Sequence, residues 1–308
     1  MAQITATLVK DLREISGAGM MDCKKALAEN DGDLEKAVDW LRTKGLAAAA
    51  KKSSRVAAEG LVGVCAEDKK VTIIEVNSET DFVARNEKFQ KFVGDLAKLA
   101  FTTGDDVEAL KAAQYPGSSK PVSEVLTDQI ATIGENMNIR RIVSLSIDEG
   151  FVANYIHGGI ATDLGKIAVA VALKSTAGAD VLAPLGKQLA MHIAATNPAS
   201  LTVEELDPEL VERERQVQIE KARESGKPDE IIMKMIDGRM RKYYEDVVLL
   251  SQTFVIDGET RIDQVVKNAA KAAGTSIELV GYVRIEMGEG LEKKEDDFAA
   301  EVAAAAGV

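Results

Sequence analysis

The chain has 308 residues, of which 46% are hydrophobic and 29% charged, a balance typical of two or three globular domains with buried cores. Its formal net charge of −12 disfavours nucleic acid as a direct partner, because an acidic surface repels phosphate. Cys23 and Cys65 are too few for a disulfide framework, and no apolar run reaches the about 18 residues of a membrane span. We therefore expect a cytoplasmic protein without membrane contact.

Residues 1–55 predict a module of three short helices. Apolar residues recur at helical spacing, and glycines or an Asp-Gly pair separate the segments. The helix markers, in chain order, are Thr5 with Leu8, Leu12 and Ile15; Met20 to Glu29; and Leu34, Val38 and Leu41. Gly17 and Gly19 end the first helix. The module offers one face to a partner, and residues 47–58 indicate a linker or a helical connector.

From Gly60 the hydrophobic period changes from 3.6 to 2, which predicts a β-hairpin that turns at Glu67 to Lys70. A helix from about Asn86 to Phe101 follows, then a proline-containing loop at 113–123 and a strand from Ile139 to Ser146. We assign this first unit, the N-subdomain of a core, to residues 56–147.

The same order recurs in the second half of the chain. Strands are predicted at 151–157 and 166–175, a helix at 180–196, and a returning strand at 279–287. The pattern predicts an α+β fold with an internal duplication of a ββα unit. The second unit, the C-subdomain, would take residues 148–205 and 247–290.

Residues 206–246 interrupt the second unit with two predicted helices, which form an antiparallel hairpin that turns at Ser225 to Pro228. The second helix has an apolar seam at Ile232, Met235, Ile236, Met240 and Tyr243. The first is mostly charged, with Leu210 and Val217 a heptad apart. Whether the hairpin projects or lies on the core stays open. A final helix is expected within residues 291–308.

The residues of an enzyme site do not assemble in this sequence. His192 shares a helix face with leucines and indicates a position at the edge of the core, whereas His157 precedes two glycines on a turn. No spacing typical of zinc ligands is present, and the stretch 157–166 fails the phosphate-loop pattern, because Ile160 replaces its first glycine. We expect no catalytic residue, no metal site and no cofactor.

A strand-to-helix connection at residues 77–85 carries an unusual apolar pair, Phe82 and Val83, beside Asp81. Such connections lie on the surface. Phe82 could pack back on its own helix as a hydrophobic staple, or it could be an exposed aromatic wedge. The residues alone favour the staple slightly and leave both interpretations open.

A set of collinear segments from residue 4 to about 302 resembles the elongation factor Ts family. The matching segments are Val9 to Arg13, Gly17 to Leu27, Thr80-Asp81-Phe82-Val83 after Val76-Asn77, Ile133 to Arg141, His157-Gly158-Gly159, Met191 to Ala195, Ser225 to Pro228, Gly281 to Arg284 and Gly288 to Glu292. Two positions depart from the family's usual residues, Thr253 for proline and Tyr282 for phenylalanine, and both are interpreted as packing changes. The resemblance implies a helical module like a ubiquitin-associated domain, a two-subdomain core, an inserted coiled-coil hairpin and a C-terminal helix.

The resemblance also implies a function, a partner and a site. The chain would be a guanine nucleotide exchange factor, not an enzyme, that binds elongation factor Tu in its GDP-bound and nucleotide-free forms and displaces its magnesium ion, so that GDP leaves and GTP can bind. The residues implied in magnesium displacement are Thr80, Asp81, Phe82 and Val83. Further contacts would come from Met20, Met21, Ile133, Gly134, His157 and Gly158. A dimer of two such heterodimers stays open.

Two alternatives come from other classes of protein. One is an α+β small-molecule enzyme that uses Glu79 and Asp81 as acid and base. The other is an RNA-associated accessory protein, against which the acidic charge argues.

Overall fold

The computed structural model describes residues 4–16, 18–224 and 228–291. Gly17, most of the predicted turn at 225–228 and the helix expected within 291–308 lie outside the described residues. Across the described part of the chain, no helix is both long and apolar enough to cross a membrane.

The N-terminal module consists of three helices, as predicted: α1 (Ala6–Ser16), α2 (Met20–Glu29) and α3 (Leu34–Lys52). Its small core is formed by Leu12, Cys23 and Leu27, all fully buried. The Asp33 carboxylate caps α3 by accepting a hydrogen bond from the Lys36 N–H. Because α3 continues to Lys52, about half of the region predicted as a linker or a helical connector is helix.

The first unit contains the predicted hairpin and two helices that were not predicted. Its elements are β1 (Glu59–Glu67), β2 (Lys70–Ser78), α4 (Glu87–Thr103), α5 (Val107–Ala112), α6 (Val122–Ile133) and β3 (Met137–Ser146). β1 and β2 pair in antiparallel register with Glu67 opposite Lys70, which confirms the turn. The predicted loop at 113–123 is shorter than expected, because α6 begins directly after Pro121.

The second unit repeats this order around an inserted helical hairpin. Its elements are β4 (Phe151–His157), β5 (Leu164–Gly165), β6 (Ile167–Ser175), α7 (Ala179–Thr196), the hairpin helices α8 (Pro208–Arg223) and α9 (Asp229–Val247), then α10 (Ile262–Ala273) and β7 (Ile277–Glu286). The strand orders are β3-β2-β1-β5 in one sheet and β4-β6-β7 in the other. The short strand β5 therefore joins the sheet of the first unit.

Local backbone details also repeat between the units. Gly60 and Gly150 have φ angles of 128° and 125°, and a Cβ at either would collide with a carbonyl oxygen of the neighbouring strand. Gly134 and Gly274 end α6 and α10 in the left-handed conformation, each three residues before the returning strand. The second unit can therefore serve as an internal comparison for the first.

The two sheets pack face to face, and each carries helices on its outer side. Residues of both sheets form the middle layer, among them Val62, Ile73, Ala168 and Ile285. Alternate residues of β1 and β2 point to the other face and meet α4, while those of β6 meet α7. The chain thus forms a helix–sheet–sheet–helix sandwich of the α+β class.

The helical hairpin packs on itself through a small apolar seam. Ile232, Ile236 and Met240 of α9 are buried, as predicted. Leu210 and Val217, the apolar pair that lies a heptad apart in α8, are exposed. The α8 residues that meet the seam are Val211, Ile219 and Ala222.

His192 is fully buried in α7, deeper than the edge position predicted. Its Nδ1 accepts a hydrogen bond from the Val255 N–H at 3.3 Å, so its Nε2 donates to Oε1 of Gln252 at 2.8 Å. Burial lowers the pKa of the imidazole below its ordinary value, although the bond to Gln252 partly opposes this. The neutral ring ties α7 to the segment before α10.

We expect the free energy of unfolding to fall as the pH drops below about 6.5, because the unfolded chain then binds a proton that the folded His192 resists. For this one group, the free energy of unfolding falls by at most about 1.4 kcal/mol per pH unit. Urea unfolding at pH 7.5 and 5.5 measures it. His192→Asn should reduce this pH dependence, whereas His157→Asn, at the other histidine of the chain, should keep it. The same pH dependence in both variants would contradict the assignment.

Candidate functional site

The connection between β2 and α4, residues 79–86, is here named the junction loop. In the second unit the equivalent connection, between β6 and α7, is only residues 176–178. The first unit therefore carries a longer connection on the same frame, and this is where Asp81 and Phe82 lie.

The tip of the junction loop projects into solvent. The Phe82 side chain is 73% exposed, so the hydrophobic-staple interpretation was wrong. Asp81 is also exposed, and its Oδ2 lies 3.9 Å from a guanidinium nitrogen of Arg85, which is itself exposed. Because such an ion pair contributes little in water, the Asp81 carboxylate is available to a partner.

Val83 takes the inward position that the staple interpretation gave to Phe82. It is 4% exposed and belongs to the core cluster that contains Phe89 and Phe92 of α4. A 3₁₀ turn at Val83–Arg85 directs the two adjacent side chains apart, and the Asn86 N–H donates to the Val83 carbonyl at 2.9 Å. Val83 thus anchors the loop, and Phe82 points away from the core.

The base of the junction loop is bonded to the segment that follows α6. The carboxylate of Glu135 accepts from the Thr80 N–H at 2.9 Å and from the Thr80 hydroxyl at 2.6 Å. The Asn136 N–H in turn donates to Oε1 of Glu79 at 2.5 Å. The predicted Ile133–Gly134 segment therefore lies beside the loop.

Behind this base, a fully buried carboxylate joins three strands. Glu75 of β2 accepts from Arg140 at 3.0 Å and Arg141 at 2.5 Å, both on β3, and from the Gly288 N–H at 2.9 Å, just after β7. Burial acts to raise the pKa of Glu75, but these donors lower it below its ordinary value overall. Sequence reasoning missed Glu75 and Glu135, although a lone glutamate in an apolar strand and an Arg-Arg pair in the returning strand were visible signals.

The other predicted contact residues lie on separate elements. Met20 and Met21 of α2 are 60% and 76% exposed, and they line a groove of about 430 Å³ with Val9. His157 ends β4 and is exposed, with its Nδ1 3.2 Å from the Tyr155 hydroxyl, and Gly158 follows with a φ angle of 63°. The structure thus brings the junction loop and residues 133–134 together, and leaves the other two groups elsewhere on the surface.

The stretch 157–166 does not form a phosphate cradle. The Lys166 ammonium donates to the Glu59 carboxylate at 3.0 Å and to the Gly60 carbonyl at 3.2 Å. This lysine joins the two units, in agreement with the rejection of a phosphate loop from the sequence.

Comparison with known proteins identifies a family that covers most of the chain. A family model described as "Elongation factor TS" matches residues 79–289, beginning at the first residue of the junction loop. Elongation factor Ts of Rhodospirillum centenum is 59% identical over 307 residues, covering 100% of both chains. Elongation factor Ts of Sphingopyxis alaskensis is 58% identical over 309 residues with the same coverage, and that of Rhizobium etli strain CIAT 652 is 58% identical over 305 residues, covering 99% of each.

We expect Phe82→Ala to change the free energy of unfolding by less than about 0.5 kcal/mol, because the ring makes little contact with the core. Phe89→Ala, seven residues further along the chain, is the matched comparison: truncation of its fully buried ring should cost about 3–5 kcal/mol. Urea unfolding of both variants measures the difference. Equal losses would show that the Phe82 ring packs within the chain.

Proposed function

This chain belongs to the elongation factor Ts family and is a guanine nucleotide exchange factor of translation elongation, and from this premise we propose that its junction loop loosens GDP on elongation factor Tu. The observation that carries the proposal is the exposed Phe82 ring beside the exposed Asp81 carboxylate, on a loop whose base is bonded to the body.

The proposed mechanism acts on the magnesium ion that the partner holds with its nucleotide. The ring of Phe82 and the carboxylate of Asp81 enter the partner near that ion and disturb its oxygen ligands. Because magnesium demands a strict octahedral set of oxygens, even a small rearrangement weakens its binding. The diphosphate then loses the charge that neutralises it, and GDP is released so that GTP can bind.

The exposed ring supplies part of the free energy for this step. Burying a phenylalanine side chain against a partner gains about 1.5–3 kcal/mol relative to leaving it in water. Aromatic side chains at the centre of an interface are frequent hot spots. Val83 contributes from within the chain, since its burial holds the turn that presents Phe82.

Linkage requires that the contacts extend beyond the loop. If the factor weakens GDP binding, then GDP weakens factor binding by the same ratio. Binding energy must therefore come from surfaces that GDP does not oppose. We assign these to Met20 and Met21, whose flexible side chains suit an adaptable contact, and to the Ile133–Gly134 and His157–Gly158 segments.

We propose that the chain is organised into five parts. These are a module like a ubiquitin-associated domain at 1–55, a core N-subdomain at 56–147, a core C-subdomain at 148–205 and 247–290, a coiled-coil hairpin at 206–246 and a C-terminal helical module at 291–308. The factor acts in the cytoplasm, carries no cofactor, catalyses no chemical reaction, and binds neither nucleic acid nor membrane. Two factor–partner heterodimers could associate into a dimer.

The alternative of an enzyme with Glu79 and Asp81 as acid and base is not supported, because the relatives are exchange factors. The two carboxylates also differ in setting. Glu79 accepts from the Asn136 N–H and lies 3.5 Å from Arg55, whereas Asp81 projects into solvent with the loop tip.

We expect Phe82→Ala to slow GDP release from elongation factor Tu by at least about tenfold, which corresponds to about 1.4 kcal/mol of activation free energy. Release of a fluorescent GDP, with and without the factor, measures the rate. Met233→Ala removes an exposed apolar side chain from the hairpin and serves as the matched control, with release as fast as with wild type. Wild-type rates with Phe82→Ala would refute the role of the loop.

We expect a variant in which a short glycine–serine linker replaces residues 207–244 to retain most of the exchange activity. The two ends of the hairpin meet at the body, where the Leu249 N–H donates to the Ser200 carbonyl at 2.9 Å and the Ala199 N–H donates to Val247 at 2.8 Å. The core can therefore close without the insertion. The same GDP-release measurement tests this, and complete loss of exchange by a folded variant would show that the hairpin takes part.

A further inference from the structure

We propose that Glu135 is the positioning residue of the junction loop: its carboxylate holds Thr80 through two hydrogen bonds and so orients Asp81 and Phe82 before the partner arrives. The inference rests on the proposed function of the loop. It adds a residue that acts through the loop, with no contact of its own to the partner's nucleotide site.

The geometry of the contact fixes both the position and the orientation of Thr80. One carboxylate oxygen of Glu135 accepts the backbone N–H at 2.9 Å and the other accepts the hydroxyl at 2.6 Å. Hydrogen bonds to an ionised acceptor are stronger than neutral ones, and two on one rigid plane restrict rotation. The Thr80 carbonyl accepts from the Ser78 hydroxyl at 3.0 Å, so every polar group of Thr80 is engaged within the chain. Thr80 therefore holds the loop, and the two residues after it, Asp81 and Phe82, remain exposed for the partner.

The position of Glu135 is itself fixed on both sides. Gly134 ends α6 with a φ angle of 89°, and its N–H donates to the Ile130 carbonyl at 3.0 Å. On the other side, the Asn136 side chain donates to the Arg55 carbonyl at 2.7 Å, and its backbone N–H donates to Glu79. The Glu135 carboxylate is thus held in place between the end of α6 and the start of β3.

The tip needs this support because its own contacts are weak. Phe82 is mostly exposed, and the ion pair of Asp81 with Arg85 is long and solvated. A loop that orders only on binding loses conformational entropy at that moment, whereas a loop held in shape beforehand does not. The conformation of the tip must therefore be fixed by the hydrogen bonds at the base of the loop.

The second unit, whose equivalent connection is short, has a different residue at the position of Glu135. Thr275 occupies the position after Gly274, as Glu135 does after Gly134. Its hydroxyl lies 2.8 Å from that of Thr176 in the short connection between β6 and α7. The longer carboxylate side chain thus occurs in the unit with the longer connection, where it reaches further along the loop.

The chain offers a matched control for removing this contact. Asp105 makes the same pair of bonds with Ser144, accepting the backbone N–H at 2.9 Å and the hydroxyl at 2.5 Å. Ser144 lies near the end of β3, whereas Glu135 lies just before its start. Asp105→Ala therefore deletes an equivalent contact far along the strand from the junction loop.

The experiment measures the rate of fluorescent GDP release from elongation factor Tu as a function of factor concentration. We expect Glu135→Ala to lower the maximal rate about tenfold and to leave the half-saturating concentration little changed, because the other contacts remain. Asp105→Ala should change neither quantity, although both variants lose the same kind of bonds and so a similar amount of thermal stability. Glu135→Gln keeps one carbonyl acceptor and should give an intermediate maximal rate.

Hydrogen exchange of the Thr80 amide supplies a readout that does not depend on the partner. It should be faster in Glu135→Ala than in wild type, and unchanged in Asp105→Ala.

If Glu135→Ala does not fold, the Glu135→Gln variant alone decides, and a wild-type maximal rate with that variant would overturn the proposal. So would equal maximal rates for Glu135→Ala and Asp105→Ala, or an effect confined to the half-saturating concentration. Any of these three results, combined with slow release by Phe82→Ala, leaves the proposed function standing, whereas wild-type release by Phe82→Ala removes it.

Discussion

The buried carboxylate of Glu75 is the interaction on which the geometry of the site depends. A charge in this position loses its hydration, and the loss is tolerable only if hydrogen-bond donors surround it. The donors come from Arg140 and Arg141 on β3 and from Gly288 after β7, so that satisfying one carboxylate brings the ends of three strands together. Glu75 thereby joins the second unit to the first unit. It lies three residues before Ser78, where β2 ends and the junction loop begins.

In the junction loop, the residues that anchor the loop are distinct from the residue that is exposed at its tip. Val83 turns into the core and Thr80 is held at the base, while Phe82, between them, faces water. Neighbouring residues in a tight turn can point in opposite directions, and this lets a short loop be ordered and exposed at once. A flexible loop of the same sequence would lose part of its binding energy to ordering.

Much of the frame could be predicted from the sequence, since β1, β2, β4 and β6 show clear hydrophobic patterns and α4 and α7 have long apolar faces. Helices α6 and α10 were missed, although they occupy the same place in the two units, between the first helix and the returning strand. The duplication supports each of them: a helix recognised in one unit predicts its counterpart in the other.

The site was harder to predict, because its contacts join residues distant in the sequence. Phe82 and Val83 are adjacent and apolar, so periodicity could not tell which of them enters the core. The partner of Thr80 lies 55 residues further along, and that of His192 lies 60 residues along. No local pattern indicates such pairs. The contact of Thr80 with Glu135 follows only once the returning strand β3 has been placed beside β2.

Comparison of the two units shows which parts of the first unit the fold does not require. Both close a sheet, cover it with a helix and return a strand after a left-handed glycine, and the second does so with only three connecting residues. The frame therefore does not need the longer connection of the first unit. The Phe82 ring is mostly exposed and contributes little to the stability of the free chain, so the fold does not account for its presence there. The same comparison explains the long acidic side chain at the base, since a short connection needs only a threonine hydroxyl.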